Sequence, residues 1–225
     1  MLKKDLIITL RVDNFMESSV ILSCLAKENG VTKILAKGAK RVKSSLRMSF
    51  ELFSISEVIF YFKTDRDINI LKEGKILTTA NDIIQDIEKY ELMSRCAHYI
   101  LKKFPLGGGQ NFFETTKSLI TTLLSLSKIN KNIFYFFVLK NLKIQGEVPQ
   151  FEHCEKCGAN EIRFFLPENK TFSCSSCAVG ENMIPVNRGI LKELDYIIKK
   201  DWLILNNFDV RETTIKIIKD LSGEK

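Results

Sequence analysis

Four of the six cysteines form two identical knuckles, Cys154-Glu-Lys-Cys157 and Cys174-Ser-Ser-Cys177, with sixteen residues between them. Each Cys-x2-Cys knuckle turns two thiolates toward one point, and two knuckles make the tetrahedral all-sulfur cage that zinc takes in structural sites. The segments Ile162-Arg-Phe-Phe165 and Lys170-Thr-Phe172 between them read as the hairpin of a zinc ribbon. With thiolates in all four positions no place is left for water, so such a metal would be structural. Four free thiols are the alternative; a redox pair fits less well because both knuckles have the same form. Cys24 falls in an apolar strand pattern and Cys96 in an amphipathic helical one, where a thiol acts as a small hydrophobe. His153, beside Cys154, reads as a loop residue, and His98 as a packed or surface residue of a helix and not as a base.

The rest of the chain changes period once. Up to residue 79 it reads as short strands: Leu6–Leu10, Ser19–Ala26, Val31–Lys37 after the Asn29-Gly30 turn, Glu51–Phe62, and Ile68–Leu71 with Lys75–Leu77 around Gly74. The polar turn Thr64-Asp65-Arg66-Asp67 closes the fourth of these. Five strands in this length suit a small closed barrel of the OB type, although another small barrel would give the same pattern. After Thr79 the apolar residues recur at helical spacing, from Ile83 to Leu101 as one long segment ending near Phe104-Pro105. Gly107-Gly108-Gly109 is a loop. Helices follow at Phe112–Leu126 and Ile133–Ile144, the second aromatic nearly all round and suited to a bundle centre. After the cysteine-rich insert the period resumes at Arg188–Lys200 and Val210–Leu221, with Asp209 as N-cap of the last helix. The expected fold class is α+β: a five-stranded OB-type barrel over 1–79, then an all-α domain over 80–225 with a four-cysteine zinc ribbon inserted at about 150–180.

Charge is spread unevenly. Net charge is +7; residues 1–80 carry 14 basic and 9 acidic groups, 81–150 carry 9 and 6, and 151–225 carry 11 and 12. The positive field thus sits in the first two thirds, which favours a nucleic-acid or acidic-protein partner. It is densest in Lys33–Arg47, where Lys33, Lys37, Lys40, Arg41, Lys43 and Arg47 have no acidic residue among them. Ile34 and Ala36 should face one side of a strand, with Lys33, Leu35 and Lys37 on the other, and Gly38 should end it. The small residues and hydroxyls from Ala39 to Ser45 would let backbone amides as well as cations approach phosphate oxygens. A solvated loop is the bland alternative. Gly38 followed by Lys43-Ser44 is not a P-loop, because Lys43 stands where the second glycine belongs and Ser44 where the lysine does.

No apolar run approaches the ~20 residues of a transmembrane helix. Lys3 and Lys4 precede an apolar stretch too short for a secretory signal, so a cytoplasmic setting is expected. Hydrophobic residues at 45% and charged residues at 27% exclude a disordered chain. No metal-protease, nucleophile-elbow or dinucleotide motif occurs, and two histidines leave little acid–base chemistry near neutral pH. The composition does not point to an enzyme. Phe50, Phe53, Phe60, Tyr61 and Phe62 are available for base stacking, although strand aromatics belong mostly to cores.

The chain resembles the DNA repair protein RecO family along nearly its whole length. The residues that carry the likeness are Glu17-Ser-Ser, Glu28-Asn-Gly, Ala36-Lys37-Gly38-Ala39-Lys40-Arg41 with Lys43-Ser44 and Leu46-Arg47, and the knuckles Cys154-x2-Cys157-Gly158 and Cys174-x2-Cys177-Ala178. It departs where the family often has proline at Val42 and arginine at Ser45. The resemblance implies a non-enzymatic recombination mediator that binds single- and double-stranded DNA, nucleoid-associated when it does so. It implies annealing of complementary strands coated with single-stranded DNA-binding protein and, with RecR, loading of RecA at gaps. It further implies that the acidic, apolar-ended tail of the single-stranded DNA-binding protein docks on the helical domain, where Arg95, Lys102 and Lys103 are compositional candidates. The rivals are an RNA-binding zinc-ribbon/OB protein of translation or transcription and an adaptor for acidic protein tails.

Overall fold

The first strand, β1 (Leu2–Phe15), is longer than the expected Leu6–Leu10. Its first half pairs with β4 (Ile55–Tyr61) and its second with β2 (Ser19–Ala26), and a register shift between Thr9 and Arg11 bends it from one neighbour to the other. Lys3, Lys4, Arg11 and Asp13, outside the apolar centre, hid those halves. β3 (Gly30–Ala36) and β5 (Ile68–Thr78) complete a closed barrel in the order β1-β2-β3-β5-β4. A short parallel pairing of Lys33–Leu35 with Ile68–Ile70 joins β3 to β5, and the antiparallel β1–β4 pair completes the ring. This is the expected five-stranded OB-type barrel. In this computed structural model residues 1–62 and 67–223 are described, without the side chains of Arg47 and Met48. Thr64, Asp65 and Arg66 of the expected turn lie outside the described residues.

Two strand boundaries differ from the pattern. β5 runs unbroken through Gly74, and β4 begins only at Ile55 because Glu51–Ser54 is a turn with Phe53 in the left-handed region (φ +61). That turn is clamped to β1: the Phe53 N–H donates to the Thr9 carbonyl (2.8 Å) and the Thr9 N–H to the Ser54 carbonyl (3.2 Å).

The Glu28-Asn29-Gly30 turn has a specific cause. The buried carboxylate of Asp5 accepts from the Leu6 and Glu28 amides and from both the amide and side chain of Asn29, at 2.7 to 3.2 Å. Gly30 then adopts φ +63, and a β-carbon there would stand 2.3 Å from the Gly108 carbonyl oxygen. The close approach is real bonding, since that carbonyl accepts from the Val31 N–H at 2.7 Å and the Val31 carbonyl accepts from the Gly107 N–H at 2.8 Å. Gly30→Ala is therefore expected to lower stability by at least about 2 kcal/mol, combining left-handed strain with a backbone clash. An unchanged urea midpoint would refute this reading of the turn.

The chain divides into two compact units, Met1–Ile129 and Asn130–Lys225. In the first, the expected long helix is two: α1 (Asn81–Gln85) and α2 (Ile87–Lys103). Asp86 makes the break, its extended backbone ending α1 while its carboxylate caps α2 by accepting from the Lys89 N–H (3.1 Å). α3 (Phe112–Ser125) ends this unit. In the second unit α4 (Ile133–Ile144) is buried on nearly every side, as its aromatic run requires. Phe137 stacks on Trp202 (6.3 Å between centroids) and Phe136 meets Phe208 (6.2 Å), placing α4 among α5 (Arg188–Lys199), α6 (Trp202–Leu205) and α7 (Glu212–Ser222).

Asp209 is not the N-cap of α7. The helix starts at Glu212 after Arg211 with no side-chain cap, and Glu193 of α5 holds that start in place, accepting from the Arg211 N–H (3.3 Å), the Arg211 guanidinium and the Thr214 hydroxyl, with its negative charge at the positive end of the helix. No helix among the described residues is long and apolar enough to cross a membrane.

Candidate functional site

The cationic stretch begins as the alternation predicts: Ile34 and Ala36 are fully buried, Lys33 and Lys37 exposed, Leu35 half-buried. β3 ends at Ala36, one residue early, and Gly38 turns the chain with φ +68. The residues beyond Gly38 form a built loop. Ala39, 3% exposed, enters the barrel core beside Val20, Leu22, Ala36 and Phe60, and Leu46 packs against the same cluster. Ser44 caps the short 3-10 helix Ser45–Met48 by accepting from the Leu46 N–H, and the Ser49 hydroxyl donates to the Gly74 carbonyl (3.0 Å).

This architecture corrects one expectation. The amides of Gly38, Lys40, Arg41, Ser44 and Leu46 are all engaged inside the protein, bonded in turn to Ser19 Oγ, the Ser18, Gly38 and Arg41 carbonyls, and Ser44 Oγ. These amides do not await phosphate; a loop of this length in contact with a barrel must satisfy its own backbone. The long side chains remain. Lys33, Lys37, Lys40, Arg41 and Lys43 are exposed, and none is in an ion pair among the described residues. The Arg47 side chain lies outside the described residues.

Local pattern missed what holds the loop. Ser18 and Ser19 form the other half of the anchorage, and a Ser-Ser pair about twenty residues upstream carries no signal of that partnership. Of the aromatics, Phe53 and Phe60 are core, Phe50 and Phe62 are partly buried against it, and Tyr61 is exposed. Phe62 also meets Phe60 edge-on (6.5 Å) and has the Lys3 ammonium over its ring at 3.6 Å.

The four knuckle cysteines converge. The Sγ atoms of Cys154, Cys157, Cys174 and Cys177 all lie within 4.8 Å of one another. The first knuckle turns through Gly158 (φ +74), which donates to the Cys154 carbonyl at 2.8 Å, and the second through Ala178 donating to the Cys174 carbonyl at 3.0 Å. Between them β6 (Phe164–Leu166) and β7 (Thr171–Ser173) form the expected hairpin, joined by a short β8 (Ile184–Pro185) on the other edge of β6. Phe165 and Phe172 pack 5.0 Å apart, with Phe151 edge-on to Phe172.

The donor set suits a soft cation, and four thiolates so close need one. Without it the group divides: the Cys174 amide first, with those of Cys157 and Lys156, holds the Cys154 thiol down to about 6 despite its burial. The Cys157 and Cys174 side chains push the Cys177 thiol up to about 12. This ribbon can hold a metal ion. His153 is not part of the cluster among the described residues. His98 is exposed on α2, while Cys24 and Cys96 are fully buried, burial raising the Cys24 thiol to about 12.

Comparison with known proteins settles the family. The chain matches the model of the recombination protein O N-terminal region over residues 1–80 and that of its C-terminal region over residues 86–224. The chain belongs to the recombination protein O family. Among curated relatives it is 26% identical to the DNA repair protein RecO of Chlorobium phaeobacteroides over 194 residues, covering 85% of this chain and 74% of that protein. It is 25% identical to that of Acetivibrio thermocellus over 218 residues (92% and 84%) and 24% identical to that of Thermodesulfovibrio yellowstonii over 189 residues (80% and 74%). The recombination protein O match thus spans both the barrel with its cationic loop and the helices with the thiol cluster.

Proposed function

We propose that this family member is a non-catalytic recombination mediator that binds single- and double-stranded DNA and anneals complementary strands at gaps. The observation that carries the reading is the anchored loop with its exposed cations on an OB-type barrel, in a chain of a recombination family. Annealing needs two polyanions shielded without either being trapped in a base-specific pocket. Cations on a fixed frame provide that screening. Residues 1–79 serve as the nucleic-acid-binding domain and 80–225 as the helical domain, with the ribbon at about 150–180. Lys33, Lys37, Lys40, Arg41, Lys43 and Arg47 contact phosphates. Cys154, Cys157, Cys174 and Cys177 hold one zinc ion, which supplies structural rigidity to the ribbon. The protein works in the cytoplasm, joining the nucleoid when bound to DNA.

RecR, and through it RecA, are the protein partners of this reading, together with the acidic, apolar-ended tail of the single-stranded DNA-binding protein. A cleft of about 570 Å³ between β1 and α2 suits that tail, with Leu10, Leu52, Phe53, Ala97 and Leu101 as apolar lining, Lys102 as a cationic group, and Arg11 as a second that is paired with Asp13 at 2.7 Å. Of the compositional candidates Lys102 lines this cleft, whereas Arg95 and Lys103 do not.

The test is annealing of complementary oligonucleotides precoated with the cognate single-stranded DNA-binding protein. Acceleration is expected. Binding to bare strands should weaken with salt at a log–log slope of about −3 to −4, for roughly four to six phosphate contacts. Tighter binding to structured RNA with no annealing would replace this reading by the RNA-binding one; binding of the tail without bare DNA would leave only an adaptor.

A further inference from the structure

Two large apolar side chains stand in water beside the cationic loop. Val42, between Arg41 and Lys43, is 89% exposed, and Met16, at the turn from β1 to β2, is 79% exposed. The Lys40 N–H donates to the Ser18 carbonyl (2.9 Å) and the Gly38 N–H to Ser19 Oγ (3.1 Å), so the loop is tied to the β1–β2 turn by one backbone bond and to the start of β2 by one bond to a hydroxyl. Met16 also has φ +54, a conformation that asparagine or glycine would adopt more readily. Single exposed hydrophobes are ordinary. A pair on two joined turns, one held in an unfavourable backbone conformation and the other flanked by cations, is less so.

We propose that Met16 and Val42 are base-contacting tips: they take up the apolar faces of unstacked nucleobases whose phosphates the neighbouring cations hold. The inference rests on the DNA reading above and adds the base-facing element it lacks. Glu17 supports the division of labour. An exposed carboxylate next to Met16 repels phosphate, so the β1–β2 turn meets the strand through its bases, while Lys40, Arg41 and Lys43 meet the phosphodiester chain. Neither tip offers a directional hydrogen bond, so the contact is indifferent to base identity, as annealing of any sequence requires. Small apolar wedges between bases are an established way of holding nucleic acid unstacked.

The experiment compares an oligothymidine with an abasic oligonucleotide of equal length and charge, using the full chain and the double variant Met16→Asn, Val42→Ser. Asparagine suits the left-handed backbone at 16, and serine replaces a side chain that touches almost nothing, so the double variant should melt as the parent does. The parent is expected to prefer the strand with bases by roughly tenfold, the value of burying about 55 Å² of apolar surface. The double variant should bind both strands alike and as tightly as the parent binds the abasic one. Val42→Ser alone should lose part of the preference, and decides the matter should the double variant fold poorly.

A parent without preference, or variants that keep it, would overturn the base contacts while leaving phosphate binding intact. A parent that binds neither strand would overturn the DNA reading and this inference with it. An abasic affinity that falls with the variants would show that the tips act on the loop's shape and not on bases, which also overturns the proposal.

Discussion

Purified protein is expected to contain roughly one zinc ion per chain, and Cys174→Ser is expected to lose it. The second knuckle contributes half of the donor set, and three thiolates with a serine hydroxyl make a far weaker cage for a soft cation. The ribbon's own frame is small: β6 and β7 are three residues each and β8 is two, over a short apolar centre of Phe165 and Phe172 with Ile162, Leu166, Ile184 and Val186, and Lys170 donates to the Leu221 carbonyl of α7 at 2.7 Å. A sheet of that size is marginal alone. The metal therefore supplies most of its folding energy, roughly 10–16 kcal/mol in apparent binding for structural zinc in small peptides. The variant should show rapid proteolysis within about 150–180 and four-thiol chemistry replaced by three reactive thiols. The barrel should be untouched, since none of its strands comes from this region. Elemental analysis showing no zinc after metal-replete expression would remove the assignment.

How much of this was legible depended on the range of each interaction. The knuckle spacing foretold the thiol convergence because each knuckle is a local turn and only the hairpin between them is needed to bring the two together. The barrel was legible in β2 and β3, where Asn29-Gly30 sets the register. It was misread wherever a strand changed neighbours, as in β1, or where a left-handed residue such as Phe53 turned an apolar run away from the sheet. The break at Asp86 was hidden because Ile83, Ile84 and Ile87 keep helical spacing across it.

Long-range anchoring left no trace at all. Glu193 holds the start of a helix whose first residue lies nineteen positions later and which no side chain caps, so the nearby Asp209 was the natural but mistaken choice. α6 was missed although Asp201 before Trp202 is a local cap signal, accepting from the Ile204 N–H at 3.1 Å, because four residues are too few to show a helical period. Composition found the cationic loop but misjudged its chemistry. Small residues and hydroxyls from Ala39 to Ser45 read as open backbone, whereas Ala39 is a core residue and Ser44 a cap.

That anchorage makes charge reversal at the loop a clean test. The Lys40 and Arg41 amides bond to the Ser18 and Gly38 carbonyls whatever their side chains are, and both side chains are exposed. Lys40→Glu with Arg41→Glu should therefore keep the barrel folded and the zinc content unchanged. Each lost phosphate contact on a single strand removes about 0.7 from the log–log salt slope, hence roughly fivefold in affinity at ~0.1 M salt. Two lost contacts give roughly 25-fold, and the two carboxylates now facing phosphate add repulsion, so a loss of about 100-fold is expected near that salt concentration. The slope itself should fall in magnitude by about 1.4. Fluorescence anisotropy across a salt series reads both quantities. The two must move together: a weaker affinity at unchanged slope would mean that the variant had disturbed the loop's shape and released no fewer counterions. Unaltered affinity would place the landing site of the polyanion elsewhere on the chain.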